Sequence, residues 1–146
     1  MYRCSLATSN DVAWIRDVAA KRMLEEEVYK PQYYNSVAIE NLINTGITNH
    51  TCWVAFKDDK RIGALGALPT NNPLNPEIRM LCEIFWWVDP EHRHSKAGLL
   101  LLNAFDKATS SYDEAAMSLL TVSEVMNNSL QKRGYNLCEY GFNKEM

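Results

Sequence analysis

CEIFWWVDPEHRHSKAGLLLLNAFDK, residues 82–107, reads as a buried strand, a tight basic turn and an amphipathic helix. Glu83 to Val88 is apolar after its first residue and rich in Phe, Trp, Ile and Val, the composition of a central strand. Asp89-Pro90 ends it, because proline has no N–H for a ladder and restricts the residue before it. His92, Arg93, His94, Ser95 and Lys96 make a basic turn, and Ala97-Gly98 follow. From Leu99 onward, Leu99, Leu102 and Phe105 recur at three-residue spacing, with Leu101, Ala104 and Ala108 alongside. That pattern predicts a helix with one broad apolar face. A strand, a basic glycine-bearing turn and a helix start together suit an anion. The first N–H groups of a helix have no intrahelical partner, the dipole adds partial positive charge, and Arg93 and Lys96 add whole charges.

The chain of 146 residues has the size of one domain, residues 1–146. Its hydrophobic content of 47% against 23% charged residues is that of a globular protein. A net charge of −3 with a pI near 5.6 argues against a nucleic-acid binder and for a small anionic ligand at the basic turn. The acidic remainder is compatible with a cationic co-substrate such as an amine. Cys4, Cys52, Cys82 and Cys138 lie far apart with no C-x-x-C, so buried free thiols are expected. The longest aliphatic run, Leu99 to Leu102, is too short for a membrane span, and no signal pattern opens the chain. The expected location is cytoplasmic, with no membrane partner. His92 and His94 point opposite ways on an extended segment and no second ligand pair follows at zinc spacing, so no metal is expected.

Outward from the central stretch, Tyr2 to Ala7 alternates as a half-buried strand, with Tyr2, Cys4 and Leu6 inward. Thr8 and Asp11 can cap a helix whose stripe is Val12, Ile15, Ala19 and Met23. Pro31 breaks the run, and Gln32-Tyr33-Tyr34-Asn35 makes an aromatic loop. A second helix is predicted over Val37 to Asn44, ended by Thr45-Gly46. Cys52 to Phe56 and Arg61 to Leu68 read as a hairpin about Asp58-Asp59-Lys60. Pro69 to Glu77 reads as a loop. A strand over Ala116 to Val122, a helix over Glu124 to Lys132 ended by Gly134, and a strand over Tyr135 to Asn143 complete the chain. The order is β-α-α-β-β-β-α-β-α-β, an α/β (α+β) arrangement on a mixed sheet.

This order resembles the GNAT superfamily of N-acetyltransferases, the GNAT-like acyl-CoA N-acyltransferase fold, over essentially the whole chain. The resemblance is sharpest where Val88, Pro90 and Glu91 match the Val-x-Pro-Glu lead-in. Arg93 and Gly98 match the ends of the Arg/Gln-x-x-Gly-x-Gly/Ala turn, while Lys96 stands where the middle glycine usually sits. Thr8 and Asp11 after the first strand, and Asn128 with Gly134-Tyr135, are similar to the family's beginning and end. The Ser95-Lys96-Ala97-Gly98 ending is similar to that of small phage-encoded members.

The resemblance implies an acetyl-CoA-dependent N-acetyltransferase whose acceptor is a primary amine on a small molecule, peptide or protein. It places the cofactor against Trp86, Val88, Arg93, His94, Ser95, Lys96, Ala97, Gly98 and Ser123, and the acceptor near Tyr33 and Tyr34. Glu83, the one acid embedded in the apolar strand, stands where several members carry a general base; a strand entrance exposed to water or a pair with Arg79 would serve it equally. The tyrosine that serves many members as general acid is replaced by Leu130, and Ser123 replaces a common asparagine. These departures keep open a second reading, a catalytically silent GNAT-like domain that binds CoA or a protein partner. The oligomeric state stays open, with a homodimer among the options.

Overall fold

The computed structural model describes residues 1–27, 31–118, 124–138, 142 and 144. Strand β1, Tyr2–Leu6, opens the chain and the backbone turns at Thr8. The Thr8 side chain accepts from Asn10 N, and Thr8 N donates to Asp11 Oδ2 across 2.8 Å, a reciprocal cap that starts the helical run. Asp11 is buried, and Arg61 Nε donates to it at 2.8 Å. Residues 12–27 then form one continuous helix, α1, built from Val12–Trp14, a π-helical Ile15–Ala20 and Lys21–Glu27. Helix α2, Ser36–Thr48, is capped by Asn35, whose side chain accepts from Ala38 N at 3.0 Å.

Strands β2 (Cys52–Lys57), β3 (Lys60–Asn72) and β4 (Asn75–Val88) follow, then helix α3 (Ala97–Ala108), strand β5 (Glu114–Ala116) and helix α4 (Glu124–Lys132). The sheet order is β1-β2-β3-β4-β5; the first three junctions are antiparallel, and β4 to β5 is parallel. A parallel pair needs a crossover, and α3 supplies it. One face carries α1 and α2 over Val54, Phe56, Ala64, Phe85 and Trp87; the other carries α3, with Leu101 and Phe105 over Ala55, Ile62, Leu65 and Leu81. Because β2 and the middle of β3 are buried on both faces, they read as unbroken apolar runs.

Several expectations need correcting. Residues 69–77 are not a loop: β3 and β4 pair through them to Asn72 and Asn75, turning at Pro73-Leu74. In this arm the side chains are largely polar, and the register shifts between Asn71 and Asn72, so residues 76–78 of β4 have no partner on β3. Pro69 is tolerated because β2 stops pairing at Gly66, leaving that side of β3 as an edge. Asn72 Oδ1 closes the turn by accepting from Leu74 N at 2.8 Å. Helix α2 runs past Gly46 to Thr48. There the glycine is a point of close approach, since a Cβ would lie 3.1 Å from Cys52 Cβ.

Leu6 and Leu99 are exposed, so the inward face of α3 is Ala97, Leu101, Leu102 and Phe105. β5 begins at Glu114, two residues before the expected start; residues 119–122 of that expected strand lie outside the described residues. Tyr135–Cys138 carry no strand, and residues 139–141 and 143 lie outside the described residues. Cys52 is buried, and burial pushes its thiol up to about 12; Cys138, in contrast, is exposed.

At the centre of the β3–β4 ladder, Gly66 pairs with Phe85 and Ala67 with Glu83, so Ile84 is a bulged residue without a partner. A Cβ at Gly66 would sit 2.4 Å from the Phe85 ring. Gly66→Ala should therefore lower unfolding free energy by about 1–3 kcal/mol through overpacking, read as a lower denaturant midpoint at unchanged slope.

Candidate active site

The turn between β4 and α3 is built mainly from its own short side chains. Asp89 Oδ1 accepts from Glu91 N at 3.0 Å and starts a 3₁₀ turn, Pro90–His92. Ser95 Oγ donates to His92 O at 2.6 Å and accepts from Ala97 N at 3.2 Å. Lys96 is the N-cap residue of α3, and both it and His94 are exposed. Tyr2 OH lies 3.1 Å from His92 Nδ1, which ties the turn to β1. Ala97 is fully buried, pinning the first turn of α3 to the core.

Gly98 is a different kind of glycine from the others described. At Gly46, Gly63 and Gly66 an added Cβ would press on a neighbour at 3.1, 3.0 and 2.4 Å, and Gly134 has φ +92°. At Gly98 the nearest atoms, Val88 Cγ2 and Trp86 Cζ2, would lie at 3.8 and 3.9 Å, ordinary contact. Glycine inside a helix costs about 1 kcal/mol relative to alanine, and no internal contact here requires it. Space above the first turn of α3 is what the missing side chain provides.

Arg93 is engaged through its Nε and Nη2. Its Nε donates to Val88 O at 2.8 Å, and its Nη2 donates to both carboxylate oxygens of Glu26, at 2.9 and 2.7 Å. Trp87 Nε1 donates to the same carboxylate at 3.4 Å, and Arg22 reaches Asp89 at 3.6 Å. The C-terminal end of α1 is thereby fastened to the end of β4.

β5 pairs with β4 only from Met80 to Cys82, so Glu83–Val88 has no strand partner on that side among the described residues. Trp86 and Val88, expected to offer backbone groups to a cofactor, lie on this stretch, with Gly98 next to both side chains. Glu83 is half-buried at the start of it, beside the bulge, and accepts from Ser118 N at 3.3 Å. The structure thus gathers Glu83, Trp86, Val88 and the Arg93–Gly98 turn along one strand and the helix that follows it.

The pattern of the Acetyltransferase (GNAT) family matches residues 12–132. The chain belongs to that family. The general chemistry of that family is acetyl transfer, and the turn, the strand and α3 all fall inside the matched span. Among solved structures it is similar to a predicted acetyltransferase with acetyl-CoA from Clostridium acetobutylicum, at 12% identity, 99% of this chain, 96% of that chain and TM-score 0.75. It is also similar to Arabidopsis thaliana Naa50 in complex with the bisubstrate analogue CoA-Ac-MVNAL, at 14% identity, 94% and 85% coverage and TM-score 0.67. A third is an aminoglycoside acetyltransferase from an uncultured soil metagenomic sample, at 13% identity, 100% and 99% coverage and TM-score 0.69. These similarities establish the mixed α/β fold. No curated protein matches the sequence.

Within this GNAT chain the remaining expected residues are distributed as follows. Tyr33 is exposed in the 3₁₀ turn Pro31–Tyr33. Tyr34 is tied down: its hydroxyl donates to Asp17 Oδ1 at 3.2 Å, and Lys21 Nζ lies 5.7 Å from its ring centre. Burial, then Asp17, raises the Tyr34 phenol pKa. Ser123 lies outside the described residues. No group of three or more His, Cys, Asp or Glu among the described residues could hold a metal, and no described helix is long and apolar enough to cross a membrane. Glu26 was missed from sequence, because its position in the run Glu25-Glu26-Glu27 gives no sign that Arg93, 67 residues on, turns back to it.

Tyr135, one of few hydroxyls near the departed general-acid position, donates to Asp106 Oδ1 in α3 at 3.0 Å. Burial first, then Asp106, raises its pKa, so it stays protonated across the working range and holds α3 to the chain after α4. Tyr135→Phe should cost about 1 kcal/mol of stability. Calorimetric CoA binding and thiol-release turnover should stay at wild-type values, whereas a proton donor at this position would lose turnover.

Proposed function

We propose that this chain is an N-acetyltransferase, one domain over residues 1–146, that moves the acetyl group of acetyl-CoA to a primary amine on a small molecule, peptide or protein. The observation that carries the reading is Gly98, a helix glycine with no internal reason, at the N-terminus of α3 and beside the open side of β4. An anion approaching that helix start meets backbone N–H groups and the Lys96 charge, and an absent Cβ lets it come close. The residues therefore fit the diphosphate end of CoA. The side of β4 from Glu83 to Val88 is suited to receive an extended arm as a further strand would be received, with Trp86 and Val88 supplying backbone groups. When bound, acetyl-CoA supplies a thioester carbonyl open to attack and a thiol as leaving group.

On this reading the chain's own chemistry falls chiefly to Glu83. An amine attacks only after losing its proton, and a half-buried carboxylate on β4 can accept that proton directly or through one water. Tyr33, exposed on the acceptor side of α1 and α2, is proposed to line the amine's approach, and Tyr34 to hold that turn in place.

Two substitutions and one mass measurement test the assignment. Gly98→Val should abolish acetyl-CoA binding by calorimetry while leaving the thermal midpoint near wild type, because a Cβ fits against Trp86 and Val88. Unchanged affinity would remove the turn from the site. Glu83→Gln should lower kcat by about 10²–10⁴-fold with acetyl-CoA affinity retained, and should alter the acid limb of the pH profile. A CoA species travelling with the purified protein in native mass spectrometry supports the cofactor. If CoA binds but no amine in a broad panel, nor a cell lysate, is acetylated above control, the silent binding domain is the correct reading.

A further inference from the structure

We propose that Glu26 and Arg93 are positioning residues, a brace that shapes the anion-holding turn, and that the side-chain charge facing the anion is that of Lys96. The inference rests on the reading of the turn as the CoA site. Sequence pattern alone puts Arg93 and Lys96 on equal terms, as two cations of one basic turn. The structure separates them. Arg93 Nε is bound to Val88 O and its Nη2 to both oxygens of Glu26, so its planar fork spans the end of β4 and the end of α1. The side chains of Lys96 and His94 make no hydrogen bond or ion pair among the described residues, and both are exposed.

Electrostatics points the same way. The Glu26 carboxylate lies 2.7 Å from Arg93 Nη2, so the pair presents almost no net charge to an approaching anion. Moving Arg93 onto a phosphate would strip Glu26 and the Val88 carbonyl of their donor and exchange one anion for another. The mechanical case is as direct. Trp87 Nε1 also donates to Glu26, and Arg22 engages Asp89, so side chains from α1 hold the last residues of β4 where the chain turns toward Lys96 and Gly98. Loosening this brace moves the helix start relative to the open side of β4, and those two surfaces must meet the same ligand.

The test is calorimetric titration of CoA at several salt concentrations. Glu26→Ala and Arg93→Ala should each weaken binding by about five-fold, and the double variant should be no weaker than the worse single, since one brace is broken only once. The salt dependence of the double variant, which removes one charge of each sign, should match wild type, whereas Lys96→Ala should flatten it, because only the net charge facing the ligand is screened in the encounter. Arg93→Lys should behave like Arg93→Ala: a lysine keeps the charge and loses the fork. Near wild-type affinity in Arg93→Lys, or a flattened salt dependence or multiplied losses in the double variant, would each overturn the proposal and make Arg93 a direct phosphate ligand. If the wild-type chain binds no CoA, the functional reading falls, and amide exchange over residues 88–96 decides the brace by itself. Faster exchange in Glu26→Ala supports it, and unchanged exchange sinks it.

Discussion

The candidate site is organised by β4, which β3 pairs over most of its length on one side and which β5, among the described residues, meets along three residues on the other. A strand buried in a sheet normally satisfies its backbone with two neighbours. Here β3 holds one side from Asn75 to Val88, and β5 meets the other only at Met80–Cys82 among the described residues. The bulge at Ile84 lies two residues past Cys82, the last residue of β4 that β5 meets among the described residues. It shifts the register of β4 by one residue, so Glu83 and Ile84 break the alternation that Phe85, Trp86 and Trp87 then resume. Phe85 keeps the strand from drifting, because its ring fills the space over Gly66 and anchors the bulge to β3. Opening of the strand and rigidity of its far side come from the same few residues.

The turn inherits this geometry. β3 holds the chain as far as Asp89, whose N donates to Ile62 O at 2.7 Å, and from there the path to α3 is set by a chain of short bonds: Asp89 to Glu91, His92 to Ser95, Ser95 to Ala97. None of these uses the Lys96 ammonium or the Gly98 surface. The parts that shape the turn and the parts available to a ligand are different atoms, and that separation is what lets a partly charged turn remain ordered without an anion in it. Glu26 extends the same division of labour across the molecule by engaging Arg93 from α1.

The elements with strong periodicity were legible in the sequence: the α1 stripe, the buried β2 and β3 runs, the apolar stretch of β4 and, Leu99 apart, much of the inward face of α3. Their burial is dictated by apolar spacing, which a single sequence displays. The hairpin arm over residues 69–77 was not legible, because Thr70, Asn71, Asn72 and Asn75 have turn chemistry and form strands only through cross-strand pairing, Thr70 with Met80, Asn71 with Arg79 and Asn72 with Asn75. Gly46 misled for a related reason: a glycine signals a helix end or a close neighbour with equal force, and only the position of Cys52 decides between them. At the site, the local turn was readable as strand, basic residues and helix start. The partners of its charges were not, since an ion pair such as Glu26 with Arg93 joins residues with no shared period.

The absence of a tyrosine at position 130 bears on rate more than on possibility. Leu130 offers no proton, and Tyr135 holds its own on Asp106. A free thiol ionises near pH 8.5, so a thiolate is a tolerable leaving group in water and needs less help than an alkoxide or amide would. Deprotonating the amine is the harder demand at neutral pH, because a lysine-like ammonium ionises near 10.4. On the proposed reading that task falls to Glu83, half-buried on β4. If Glu83 is the base and no dedicated acid replaces the tyrosine, the chain has lost the less costly of the two proton transfers. On the proposed reading it would still acetylate, at a rate below that of relatives carrying both groups.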